Sequence, residues 1–201
     1  MIFSKKDIQE VLPADVTGRS VAHPKRWLVA LVRISHEKKT SERLSKMGIE
    51  NFLPVQQEVH QWSDRRKVVE RVLLPMMIFV HVDVYEQKEV LTLGSISRYM
   101  VLRGESTPAV IPDEQMHRFK FMLDYSDEAI NMSTSPLSPG TKIKVIKGPL
   151  SGLQGELVTV NGKSKVAVRL TMLGCAFVDI PVGCVEPLEN KGLNISETSI
   201  K

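Results

Sequence analysis

The chain has 201 residues, 42% hydrophobic and 25% charged, with a formal net charge of +4; this is the composition of a globular protein with one large or two small domains, and it excludes a disordered chain. No apolar run approaches the ~20 residues that span a bilayer and no signal-peptide core leads the chain, so the cytoplasm is the expected compartment. Two cysteines, Cys175 and Cys184, make neither a disulfide framework nor a four-ligand zinc site, and the mild basicity permits contact with nucleic acid without the Lys/Arg density of an autonomous DNA binder.

Residues 1–24 are polar and broken by Pro13, Gly18 and Pro24, which reads as a flexible leader with a short helix near Lys5 to Val11. The run Trp27-Leu28-Val29-Ala30-Leu31-Val32 predicts a strand buried on both faces, over Arg26 to Ile34. Ser35 offers an N-cap oxygen, Glu37 suits a first turn, and Leu44 and Met47 precede Gly48, a natural residue just past a helix end. A strand at Ile49 to Leu53 follows, and then two arms, Val59 to Trp62 and Lys67 to Leu74, are joined by Ser63-Asp64-Arg65-Arg66 as a hairpin with a basic tip.

Behind Pro75 a strand is expected at Met76 to Val82, a short helix at Tyr85 to Leu93 before Gly94, and a strand at Tyr99 to Leu102. Pro112 is placed at the first position of a helix with Asp113 and Glu114 in its first turn and Met116, Phe119 and Leu123 at helical spacing. Together residues 25–124 form an α+β sandwich. The small, polar stretch 125–139 lacks any period and reads as a flexible linker. Residues 140–188 change texture to short strands punctuated by Gly148-Pro149, Gly152, Gly155 and Asn161-Gly162, the last a strong hairpin signal, which predicts a small all-β barrel. The tail, 189–201, is polar and expected to be disordered.

The segment from Gly140 to Val158, with Lys147-Gly148-Pro149, Gly152 and Gly155, resembles the KOW motif: a basic alternating strand, a glycine-proline turn, a spaced glycine pair and a second strand. Upstream, Trp27 to Val32, Lys38 to Gly48, Phe52-Leu53-Pro54, Trp62 to Lys67 and Ile78-Phe79-Val80 are similar in order and spacing to the NusG amino-terminal domain. The resemblance runs over about 26–188 and implies an α+β NusG-type domain joined by a linker to an SH3-like KOW barrel. One departure stands out. Where the family has Pro-Gly-Tyr before its Phe-Val strand, this chain has Pro75-Met76-Met77-Ile78-Phe79-Val80, which with the leader points to a specialised paralog of the RfaH/UpxY kind.

From the resemblance follow expected roles. NusG-like domains dock an apolar depression on the clamp helices of RNA polymerase; by position this assigns Leu31, Phe52, Pro54, Met77 and Phe79, although apolar strand residues are ordinarily core. Arg65, Arg66 and Lys67 are the candidates for contact with nucleic-acid phosphates, with a solvated turn as the alternative. Nontemplate DNA or nascent RNA is the implied nucleic acid. The KOW domain carries a positive bias from Lys142, Lys144, Lys147, Lys163, Lys165 and Arg169, and an apolar face is expected from Ile146, Leu150 and Phe177; a ribosomal protein or a termination factor is the implied partner. The glycines and β-branched strands oppose a switch of this domain to helix.

His23, His36, His60, His81 and His117 lack ligand spacing, and no phosphate-binding loop or nucleophile elbow occurs, so neither catalysis, cofactor nor metal is expected. The chain reads as a monomeric transcription elongation and antitermination factor that suppresses pausing or termination, with polysaccharide operons as a specialised target. The rival is an RNA-binding or ribosome-associated KOW protein that never meets the polymerase.

Overall fold

In a computed structural model, the described residues are 23–61, 66–133 and 139–188. The elements in chain order are β1 (Arg26–Val32), α1 (Glu37–Lys46), β2 (Glu50–Phe52), β3 (Val55–Gln61), β4 (Arg66–Val72), β5 (Met77–Val82), α2 (Glu86–Thr92), β6 (Ile96–Tyr99), β7 (Val110–Ile111), α3 (Asp113–Tyr125), β8 (Asn131–Ser133), β9 (Thr141–Val145), β10 (Gln154–Val160), β11 (Lys163–Leu170), β12 (Gly174–Asp179) and β13 (Val185–Pro187). The expected leader helix, the turn 62–65 and the tail lie outside the described residues, as does 134–138.

The first sheet has the order β2-β5-β1-β6, with β7 also on β1. Alternation along its central strands sorts apolar residues to opposite faces. Leu28, Ala30 and Val32 of β1 and Ile78, Val80 and Val82 of β5 pack with Leu44 of α1 and Val90 of α2. Val29 and Phe79 pack on the other face with Met116, Phe119 and Met122 of α3. Both faces of β1 are therefore covered, as its continuous apolar run requires.

Helix α1 ends where Gly48 predicts: Gly48 N–H donates to Ser45 O and Ile49 N–H to Leu44 O, both at 3.0 Å, and the buried Leu44 and Ile49 join the same core cluster. Its start differs from expectation. Ser35 has φ 61° and lies in a turn closed by His36 N–H on Arg33 O, so His36, without a side-chain cap, precedes the helix. Pro112 similarly sits one position before α3 rather than inside it. Helix α2 has a reciprocal cap that the sequence reading passed over: Asp83 accepts from Glu86 N–H while Glu86 accepts from Asp83 N–H. These amide bonds, first that of Glu86, hold the Asp83 carboxyl below its usual pKa range.

The second sheet has the order β13-β9-β10-β11-β12-β8. Asn161 and Gly162, both at positive φ, turn β10 into β11, with Val160 opposite Lys163, as the hairpin signal predicts. The sheet is all β apart from a short 3-10 turn at Val182–Cys184. Two expectations change. No ladder joins β13 to β8 among the described residues, which therefore form an open six-stranded sheet and not a closed barrel. Part of the segment read as linker belongs to it: β8 pairs with β12, Ile130 is fully buried, and Gln56 of β3 holds the backbone at Glu128 and Ile130. Short polar composition hid this because the fixing contacts come from distant chain positions.

Helix α3 lies between the two sheets. Gln115 Oε1 accepts hydrogen bonds from Thr171 N–H at 2.7 Å and Thr171 Oγ1 at 3.0 Å, and Arg118 reaches Gln154 Oε1 at 3.4 Å. One buried cluster runs from Trp27 and Phe79 through Phe119 and Ile130 to Val145 and Val168. No helix among the described residues is long and apolar enough to cross a membrane.

Candidate protein and nucleic-acid interfaces

The face of the first sheet toward α3 is organised in rows across the strands, because residues opposite one another in register share a face. In the first row Glu50, His81 and Trp27 are aligned. His81 Nδ1–H donates to Glu50 Oε2 at 2.8 Å, and the ring stacks on Trp27 at 4.8 Å between ring centres. Lys120 of α3 lies 4.0 Å above the Trp27 ring and 3.6 Å from Glu50. Partial burial works to raise the Glu50 pKa, but the His81 hydrogen bond and the neighbouring charges override it and leave the carboxyl lowered.

In the second row Phe52, Phe79 and Val29 are aligned. Phe119 closes this row from α3, with its ring 6.0 Å from Phe52 and 5.9 Å from Phe79. Phe79 is completely buried. Met77, Leu31 and Arg98 make the third row, and here the cover thins: Leu31 and Met77 are half-buried and Arg98 is exposed. At the same end of the strands Met76, 47% exposed, and Ile34, 69% exposed, add apolar surface.

Met76 is held there by a buried carboxylate. It has φ 63°, its N–H donates to Glu37 Oε1 at 2.8 Å, and its carbonyl accepts from Val32 N–H. Glu37 is 7% exposed; it stands in the first turn of α1, as the sequence predicts, and its carboxylate also fixes the entry to β5. A non-glycine residue at this φ is strained, and the hydrogen bond is what holds it.

Of the five residues expected to meet the polymerase, Leu31 and Met77 are thus brought together with open surface and Phe52 lies beside them, half-buried. Phe79 and Pro54 are buried, Phe79 under Phe119 and Pro54 where its carbonyl accepts from Leu73 N–H. Neither presents a side chain to a partner in this conformation. Arg65 lies outside the described residues, and of Arg66 and Lys67 the structure describes the backbone alone, paired with Gln61 and His60.

A basic surface that the sequence reading did not assemble adjoins this end. Arg33, His36, Lys39, Arg43, Gly94 and Ser95 line a surface cavity of about 310 Å³ with Thr40, and no carboxylate lines it. Lys39 and Arg43 are one helical turn apart on α1, a spacing visible in the sequence. Arg33 is added by the bond from its N–H to Ser95 O, and the Ser95 hydroxyl accepts from Thr40 Oγ1. Those tertiary contacts have no sequence signature.

In the second sheet the glycine-proline turn is built as the motif suggests. Gly152, at φ 98°, donates to Val145 O, and Ser151 N–H donates to Gly148 O. Gly155 serves a different need: a Cβ there would stand 2.7 Å from Ala167 O across the β10–β11 pair. Lys147 and Pro149 are exposed. Leu150 and Phe177, read as a partner face, are buried, at 7% and 9% exposure. The basic bias is also partly consumed, since Lys165 pairs with Asp179 and Arg169 chelates Glu156 through Nε and Nη2 at 2.8–2.9 Å.

Residues 25–120 match the NusG family, described as "Transcription termination factor nusG". No curated protein sequence matches. Among solved structures, NusG of Thermotoga maritima, described under "Domain interaction", is similar at 18% identity and TM-score 0.46, covering 82% of this chain and 98% of that one. The MjSpt4:Spt5 complex in its conformation A is similar at 12% identity and TM-score 0.27, covering 81% and 97%.

Proposed function

Because the chain belongs to the NusG family over residues 25–120, we propose that it is a transcription elongation factor that docks on RNA polymerase through the open end of its first sheet and suppresses pausing or termination. The observation that carries this reading is the half-buried pair Leu31 and Met77, extended by the exposed Met76 and Ile34. A monomer has little reason to array four apolar side chains at one strand end unless a partner covers them. A few desolvated side chains of this kind supply most of the free energy of an interface, and methionine adapts its shape to a helical partner. Buried Phe79 packs in the next row of the same face and does not touch the partner.

The basic cavity of Arg33, Lys39 and Arg43 lies at the same end of β1, on the α1 side, and its reading is contact with nucleic-acid phosphates beside the polymerase. A factor holding both surfaces would be placed on polymerase by apolar contacts and registered on a nucleic-acid strand by charge. Restriction to particular operons, as in specialised paralogs, would then depend on this second surface. The second sheet is read as the domain that recruits a further protein.

The test uses the full chain and core RNA polymerase in a binding assay, beside Leu31→Asp and Met77→Asp, each shown to be folded by circular dichroism. Binding by the parent and loss of tenfold or more in a folded variant support docking at this site. A folded parent that does not bind polymerase refutes it and leaves RNA association as the function to examine.

A further inference from the structure

The seam between α3 and the second sheet holds a cavity of about 380 Å³ whose wall includes Gln115, Arg118, Lys142, Gln154, Glu156 and Arg169. Three cationic side chains face one carboxylate there. That carboxylate is committed: Glu156 takes hydrogen bonds from Arg169 and from Gly140 N–H, and these, the Arg169 bond first, hold its pKa below the usual range despite partial burial. Lys142 stands opposite Glu156 in the β9–β10 register but outside that chelate, and Arg118 is drawn to Glu114, which is not part of the cavity wall.

The uncharged wall favours the same kind of ligand. Gln115 uses its amide oxygen on Thr171 and Gln154 uses its own on Arg118. What each glutamine has left is its NH2 group, a donor. The cavity therefore combines surplus positive charge with donors and has its only acidic group neutralised. Such a site recognises an anion with several acceptor oxygens. Its volume is at the lower end of the range for small-molecule sites.

We propose that this seam binds a phosphate monoester, either a free phosphorylated small molecule up to the size of a nucleoside monophosphate or the phosphorylated end of a nucleic-acid strand. The site takes Arg118 from α3 and Lys142 from β9, so an occupant ties α3 to the second sheet and stabilises their packed arrangement by mass action. This inference does not rest on polymerase docking, and the two stand or fall separately.

The experiment titrates the full chain, at constant ionic strength set with chloride, with inorganic phosphate, adenosine 5′-monophosphate, and a short oligonucleotide with and without a 5′-phosphate. Calorimetry reads affinity and amide exchange at Thr171 reads the seam. Saturable binding of at least one phosphorylated probe is expected, with slower exchange at Thr171 on binding. Affinity should fall tenfold or more in Lys142→Ala, an exposed residue whose loss leaves the fold intact, and in Arg118→Ala. A preference for adenosine monophosphate identifies a small-molecule site, and a preference for the 5′-phosphorylated strand over its unphosphorylated twin identifies a strand end. No saturable binding of any probe, or affinity unchanged in both variants, overturns the proposal.

Discussion

Leu31 and Met77 face each other across β1 and β5, two positions along the register from Val29 and Phe79 and next to them on the same face of the sheet. The inner pair is sealed beneath Phe119, whereas the outer pair keeps part of its surface open. Successive pairs on one face of the ladder thus differ in burial, the inner one closed into the core and the outer one left open to a partner.

That difference predicts opposite results for two truncations. Phe79→Ala removes a ring packed against Phe52 and Phe119 and is expected to destabilise the chain by about 3–5 kcal/mol. Met77→Ala, at the open end, is expected to change stability by about 1 kcal/mol or less while weakening polymerase binding. Denaturant unfolding of both variants checks this; equal destabilisation would mean that Met77 is core.

Gly155 gives a second separation. Its replacement by alanine sets a methyl group 2.7 Å from a backbone oxygen, that of Ala167, and near Val166. Backbone cannot step aside cheaply, so Gly155→Ala is expected to destabilise by about 1–3 kcal/mol. Thermal unfolding of the full chain reads this directly, and an unchanged midpoint would show that β10 and β11 are less closely apposed.

The packing of α3 on the second sheet depends on Gln115 and Thr171, 56 positions apart. Gln115→Ala deletes the acceptor of both Thr171 donors, and a net loss of about 0.5–1.5 kcal/mol per such hydrogen bond, about 1–3 kcal/mol for the two, is expected to speed amide exchange at Thr171 by about tenfold or more. Exchange in the interior of β1 should not change. Unaltered exchange at Thr171 would show that this contact does not hold the seam.

These elements also separate what the sequence discloses from what it conceals. The end of α1 is legible because Gly48 and the apolar Leu44 lie within one turn of each other, and the β10–β11 turn because Asn161-Gly162 is local chemistry. The Asp83–Glu86 cap had a readable spacing that was passed over. Glu37 on Met76, Gln56 on the segment before β8, and Arg33 beside Lys39 join residues far apart in the chain. Periodicity cannot report such contacts, and they are the ones that shape the candidate interfaces. Burial of Phe79 was equally unreadable, since a strand phenylalanine reads the same whether or not a helix covers it.

Acid should weaken the second sheet at Glu156. Its pKa is lowered in the folded chain by the Arg169 hydrogen bond above all, so the unfolded state binds the proton more readily. The stabilisation from this pair is present above the unfolded value of about 4.3 and is lost as pH falls through the lower folded value. Glu156→Gln is therefore expected to lower stability at neutral pH and to flatten its decline below about pH 4.3. Equilibrium unfolding at several pH values checks both, and a decline with the parental slope would exclude Glu156 as its source.

The basic cavity makes a prediction in salt. If Arg33, Lys39 and Arg43 neutralise phosphates, binding of the full chain to single-stranded nucleic acid weakens as salt rises, because each contact releases condensed counterions. Arg33→Ala or Arg43→Ala should lower affinity across sequences and reduce the slope of log affinity against log salt by about 1. Both arginines are surface residues, so folding is expected to survive. Lys163→Ala, in the second sheet and away from this cavity, should leave the slope unchanged. A slope insensitive to both arginine substitutions would move nucleic-acid contact away from α1 and toward the β3–β4 hairpin.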